Sequence, residues 1–131
     1  MIYVDTSAFL AILITDDQNH QRAMECWLNL LEEEKPLLTN NYVLVESIVI
    51  IQKRLGLSKV RDFHEKLLPF VTVDWMDGNQ HEASIRFLFA ANRRQLSLVD
   101  CSSFESMRRM KIEKVFTFDT QFAEQGFEII P

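Results

Sequence analysis

Ile2-Tyr3-Val4-Asp5-Thr6-Ser7 is the stretch on which the reading of this chain turns. An apolar, β-branched run that passes at once into Asp and two hydroxyl residues reads as a strand delivering a carboxylate into a turn. Two explanations of Asp5 stand side by side. Asp, Thr and Ser all accept hydrogen bonds from free helical N–H groups, so Asp5 suits the N-cap of a helix over 8–13. Open α/β sheets also bind ligands just beyond the carboxyl ends of their strands, which is where Asp5 falls.

Working outward, the chain alternates helix-period and strand-like segments. Thr15-Asp16-Asp17 breaks the first helix, and a second over 18–34 places Ala23, Cys26, Trp27, Leu30 and Leu31 on one face. Pro36 stops it, and 36–39 is a short strand followed by the cap pair Asn40-Asn41. A third helix runs to Leu55, with Gly56 where a left-handed residue ends a helix. Its Val43, Leu44, Val45, Ile48, Val49, Ile50 and Ile51 make it apolar on most sides, which predicts a buried helix. Glu46 lies inside that run. A carboxylate there must be paired, protonated, exposed on a narrow stripe or bound to a cation, because an isolated buried charge is costly.

Further on, the pattern predicts a helix from 58 to the residue before Pro69 and a strand over 70–73. Asp77 and Gln80 form a capping box for a helix through 94. The segment 95–99 fits a strand or a loop. Ser102 and Glu105 have capping-box spacing ahead of a helix over 104–110, and 114–118 reads as a strand ending at Asp119. A helical turn at Phe122-Ala123, then Gly126 and a last strand over 127–130, complete the series. Strands alternating with helices predict one domain over 1–131, an α/β fold whose parallel-stranded sheet is flanked by helices.

Composition narrows the function classes. With 131 residues, 47% of them hydrophobic and only three Gly and three Pro, the chain can bury a sizeable core without disulfides or a structural metal. Cys26 and Cys101 form no CxxC pair and are expected as reduced core residues. The apolar run 8–14 is too short to span a bilayer and has no basic leader, so a soluble cytoplasmic protein without a membrane partner is expected. A net charge of -5 argues against an extended phosphate-binding face. The basic residues are nonetheless clustered: Lys53-Arg54 with Lys59 and Arg61, Arg93-Arg94, and Arg108-Arg109 with Lys111 and Lys114. Helix-end charges account for Lys53-Arg54 and Arg93-Arg94. His20, His64 and His81 have no metal-ligand spacing and read as surface or packing residues.

The opening construction recurs at Asp119-Thr120 and, less clearly, at Asp100-Cys101-Ser102. Each alone is adequate as a helix cap. Parallel strands, however, end along one edge of their sheet, so these carboxylates would gather. Gathered carboxylates repel, and at least one pKa rises. A divalent cation that prefers oxygen relieves the repulsion. Such an ion can acidify water, orient it in line with a phosphodiester and stabilise the leaving oxygen.

With these residues the chain resembles the PIN-domain family. The likeness is carried by Ile2-Tyr3-Val4-Asp5-Thr6-Ser7, by Glu46 in the third helix, by Leu96-Ser97-Leu98-Val99-Asp100-Cys101, and by Val115-Phe116-Thr117-Phe118-Asp119-Thr120-Gln121-Phe122. Among the family's branches it is most similar to the VapC-type ribonucleases of bacterial and archaeal toxin–antitoxin pairs. The resemblance covers essentially the whole chain and implies a PIN-like three-layer sandwich. It implies a Mg²⁺- or Mn²⁺-dependent endoribonuclease that hydrolyses single-stranded or looped RNA. Carried over by position, Asp5, Glu46, Asp100 and Asp119 form the acidic quartet, with Asp5 and Asp100 foremost as metal ligands. Thr6 and Thr39 match supporting hydroxyl positions. A homodimer and a small antitoxin, whose tail blocks the acidic pocket, are implied as partners.

The chain departs from expectations for an RNA-acting protein in the acidic residues of its first third, Asp16, Asp17, Glu32, Glu33 and Glu34. Two other classes remain in view. An aspartate-nucleophile phosphotransferase would pair its first Asp with a second acid two residues on, where this chain has Ser7. A non-catalytic module could keep the same fold as an RNA-binding protein or scaffold, although all four acidic positions are present.

Overall fold

The triplet Ile2–Val4 forms strand β1 and is buried throughout, as an unbroken apolar run in the middle of a parallel sheet must be. Around it, in a computed structural model describing residues 1–131, stand β2 (Leu37–Asn40), β3 (Val71–Asp74), β4 (Lys114–Phe116) and β5 (Glu128–Ile130). The order is β3-β2-β1-β4-β5 and every neighbouring pair is parallel. The chain thus builds outward from β1 on one side, then returns to build on the other. That reversal opens a crevice beyond the carboxyl ends of β1 and β4. Val4 lies opposite Phe116, and the Asp5 amide still donates to the Phe116 carbonyl at 3.1 Å before the chain turns away.

Seven α-helices connect the strands: α1 (Thr6–Leu13), α2 (His20–Glu32), α3 (Asn41–Leu55), α4 (Leu57–Asp62), α5 (Gly78–Ala91), α6 (Leu98–Arg109) and α7 (Gln121–Glu124). Right-handed crossovers place α1 to α4 on one face and α5 to α7 on the other. Contacts agree, with α1 against α2 and α3, and α5 against α6; α3 also touches α6. The predicted parallel α/β sandwich is therefore the fold observed. On the second face Phe104 packs on Phe122 at 5.0 Å, Phe87 at 5.8 Å and Phe127 at 6.0 Å. On the first, Phe9 meets Phe63 edge-on at 5.0 Å. Both cysteines are free, and no helix is long and apolar enough to cross a membrane.

Several expectations need correction. The third helix is not wholly buried: Val45 is 62% and Val49 57% exposed, because nothing in this chain covers that side of α3. The fifth helix ends at Ala91, since Asn92 takes a left-handed conformation with φ 49. Arg93 and Arg94 therefore lie beyond it, and Arg93 pairs with Glu124 at 2.9 Å. The fourth helix loosens into a wider turn at Phe63–Leu67 and a tight one at Leu68–Phe70, which absorb Pro69. Residues 95–99 form no strand. Instead α6 begins at Leu98, and its capping box is Ser97 with Asp100, not Ser102 with Glu105. Asp100 thus reaches the carboxyl edge of the sheet from a helix's first turn.

Candidate active site

Asp5 is both things that its sequence context allowed. It caps α1, although weakly, with the Ser7 amide at 3.5 Å from Oδ2. It is held more firmly by two hydroxyls, as Thr117 Oγ1 donates to Oδ2 at 2.9 Å and Ser7 Oγ at 3.0 Å. Each hydroxyl also accepts a backbone amide from the turn after β4: Asp119 N–H to Thr117 at 3.0 Å, and Phe118 N–H to Ser7 at 2.9 Å. The two ends of the chain are thereby joined through one carboxylate oxygen. Asp5 is 4% exposed. Burial pushes its pKa up from 3.8 to about 6, the Thr117 hydroxyl opposes that rise, and the negative charge of Asp100 adds to it.

Asp100 sits at the third position of α6, where its Oδ2 accepts the Ser97 amide at 3.1 Å. Its pKa is raised as well, by burial first and then by the charges of Asp119 and Glu46, against the Ser97 amide and hydroxyl. The influences run in a chain: Asp5 feels Asp100, while Asp100 feels Asp119 and Glu46. All four carboxylates thus share one electrostatic neighbourhood. No Lys or Arg is among the leading influences on either Asp5 or Asp100.

Asp119 follows β4, and its Oδ1 accepts the Gln121 amide at 2.9 Å. The Gln121 side-chain amide bridges on to the Gln95 carbonyl at 3.3 Å, tying the Asp119 turn to the loop that precedes Asp100. Glu46 projects from α3, half-buried beside Tyr42, Val45, Val49, Ile50 and Val99, so it borders the uncovered apolar side of that helix. Thr39 acts on the backbone that leads into Asp5. It donates to the Val4 carbonyl at 2.8 Å and fixes the end of β1 one residue before Asp5. The Thr6 hydroxyl is buried without a hydrogen-bond partner.

Sequence reasoning missed Thr117 and Ser7 as carboxylate holders. Their signal was faint: a hydroxyl two residues from each of Asp119 and Asp5. It also missed a buried polar network behind the pocket. Asn40 caps α3 through Oδ1 to the Val43 amide at 2.9 Å and donates from Nδ2 to Ser102 at 3.1 Å and Ser106 at 3.2 Å. Ser106 donates to Asp74 at 2.8 Å, and Arg109 pairs with the same carboxylate and with Glu105. This network braces α6, which carries Asp100, against β2 and β3.

The donor set suits a hard, hydrated cation. No three carboxylates stand close enough to ligate one ion directly. Mg²⁺ does not require that, since it is commonly held by one or two carboxylates and keeps several waters. The buried, raised Asp5 and the partnerless Thr6 hydroxyl beside it in the chain are groups that an ion and its waters would satisfy.

A five-stranded parallel sheet whose switch point carries Asp5, with Asp119 following the neighbouring strand and Asp100 in the first turn of α6, defines an α/β protein with acidic side chains along one sheet edge. The chain belongs to the PIN-domain family, whose profile matches residues 2–128. It is 31% identical over 130 residues to the 23S rRNA-specific endonuclease VapC20 of Mycobacterium tuberculosis strain H37Rv, covering 97% of this chain and 95% of that protein. The crystal structure of M. tuberculosis VapC20, a sarcin–ricin loop cleaving toxin, matches with a TM-score of 0.88 at 29% identity over 100% of both chains. FitAcB from Neisseria gonorrhoeae has the same fold, with a TM-score of 0.71 at 15% identity over 100% of this chain and 97% of that one.

Proposed function

We propose that this chain is a Mg²⁺- or Mn²⁺-dependent endoribonuclease, the toxin of a toxin–antitoxin pair, with Asp5, Asp100, Asp119 and Glu46 as its site. The observation that carries the reading is the joining of Asp5 and Asp119 at the ends of neighbouring parallel strands, where Thr117 donates to the Asp5 carboxylate and accepts the Asp119 amide. Asp5 and Asp100 would be the foremost holders of the ion, with Asp119 and Glu46 completing the acidic set. When bound, a divalent ion supplies an acidified water and neutralises charge at the leaving oxygen of the phosphodiester.

The protein's part is preorganisation. Thr117 and Ser7 fix one oxygen of Asp5, and the Ser97 capping box fixes one oxygen of Asp100. Neither carboxylate must reorient as RNA arrives. The lack of a histidine base is no obstacle, because a carboxylate accepts a proton from an acidified water. The Ser7 hydroxyl is tied to Asp5, which leaves the phosphotransferase reading without the second acid it needs.

VapC20 is a 23S rRNA-specific endonuclease, and its structure is that of a sarcin–ricin loop cleaving toxin. An oligonucleotide of that loop is accordingly the first substrate to offer. A homodimer through the uncovered side of α3, a cytoplasmic location with the RNA, and an antitoxin segment that blocks the pocket belong to the same proposal. The deciding experiment incubates purified protein with the loop RNA in Mn²⁺ or chelator. Cleavage that needs metal and disappears in Asp5→Asn supports the reading. Unchanged cleavage by Asp5→Asn sinks the site, and RNA binding without cleavage favours the non-catalytic module.

A further inference from the structure

Resting on the nuclease reading, we propose that Arg22 is a contact for the RNA backbone, holding a phosphate close to the bond that is cut. Arg22 lies in the first turn of α2 and is exposed, and its guanidinium carbon stands 5.6 Å from the centre of the Phe118 ring. It forms no ion pair. Among the Lys and Arg residues without a carboxylate partner, Arg22 and Arg108 are the two set over aromatic rings, and Arg108 also donates to Gln125. Arg22 has Glu25 three residues away on the same helix, at a spacing that usually permits a pair, and does not take it.

Its position gives that choice a use. Phe118 is tied to the carboxylates through its backbone, since its amide donates to Ser7 at 2.9 Å, Ser7 donates to Asp5 at 3.0 Å, and Asp119 is the next residue. The start of α2 is itself fixed. The Asn19 amide donates to Asp17 at 2.7 Å, and His20 Nδ1 meets the Ala11 carbonyl at 2.8 Å. Arg22 therefore projects from an anchored turn, stacked on an aromatic ring, with its hydrogen-bonding fork free. This arrangement costs little further ordering when a phosphate binds.

The chemistry of the ligand follows from charge. A chain of net charge -5 with a carboxylate pocket repels a polyanion, so attraction must be local and close to the pocket. A guanidinium makes paired, charge-assisted hydrogen bonds to phosphate oxygens. Because the Phe118 on which it stacks is followed directly by Asp119, the phosphate it meets is a neighbour of the scissile one.

The test compares wild type with Arg22→Gln, Arg22→Lys and the remote, exposed Arg86→Gln on fluorescein-labelled loop RNA. It reads kcat and KM in Mn²⁺ at several salt concentrations, and binding by anisotropy. If wild type cuts, Arg22→Gln should raise KM by ~10-fold. It should flatten the slope of log KM against log salt by about 0.7, as expected for one lost phosphate contact to a single strand. Its kcat and melting temperature should match wild type, and Arg22→Lys should recover only part of the loss. If wild type cuts and Arg22→Gln behaves like Arg86→Gln, the contact is overturned and the nuclease reading survives. If wild type cuts nothing, the nuclease reading fails and anisotropy decides the contact. Equal affinities then overturn it, and a loss confined to the Arg22 variants upholds it as part of an RNA-binding surface.

Discussion

Asp5 shows how one side chain ties stability to function. Its carboxyl titrates at about 6 in the fold against 3.8 in a free residue. The metal-free native state thus holds the proton more tightly than the unfolded chain does. For a raised carboxylate, stability is greatest below pH 3.8 and falls as pH climbs through 6, by roughly 3 kcal/mol. In chelator, thermal melts of wild type should therefore drop across that window, whereas Asp5→Asn, which still caps α1, should stay nearly level and be the more stable protein at neutral pH. Added Mn²⁺ should raise the melting temperature of wild type and leave Asp5→Asn where it was. Thr117→Val makes the opposite test. It keeps the buried shape but removes the hydroxyl that donates to Asp5 and accepts from Asp119. We expect a loss of about 1–3 kcal/mol and a higher pH for half-maximal Mn²⁺ binding, read by titrating the ion at a series of pH values.

At the scale of elements, the start of α6 matters most. Ser97→Ala removes the hydroxyl that accepts the Asp100 amide but keeps the Ser97 amide that donates to the Asp100 carboxylate. Stability should fall by about 1 kcal/mol in denaturant melts, while cleavage should fall only modestly, whereas Ser97→Pro, which removes that amide, should abolish it. Local patterning foresaw a good deal here. β4 stops at Phe116 instead of running on to Asp119, but the strand end at Asp5, the Asn40 cap of α3 and the Asp77/Gln80 box of α5 were all legible, since each depends on neighbours within four residues. The start of α6 was not. Leu96, Leu98 and Val99 have the apolarity of a strand, which masked the Ser97/Asp100 capping box that starts α6 at Leu98. The exposed side of α3 was hidden for another reason: an apolar pattern records that a surface is to be covered, not whether this chain or another covers it.

Across the whole molecule, Asn40 holds three elements together. Asn40→Ala would remove the α3 cap and leave Ser102 and Ser106 short of a buried partner, at a cost of roughly 3 kcal/mol, measurable by chemical denaturation. No sequence pattern announced that network, because its members lie 62 and 66 residues apart and meet only when the sheet has formed. Val49→Glu should separate the proposed dimer into monomers in light scattering without altering the melting temperature of the monomer, given how exposed the position is. The hydroxyl bond from Thr117 to Asp5 spans 112 positions of the chain. Its consequence reaches into synthesis: a nascent chain that already carries Asp5, Glu46 and Asp100 still lacks the strand that clamps the first of them.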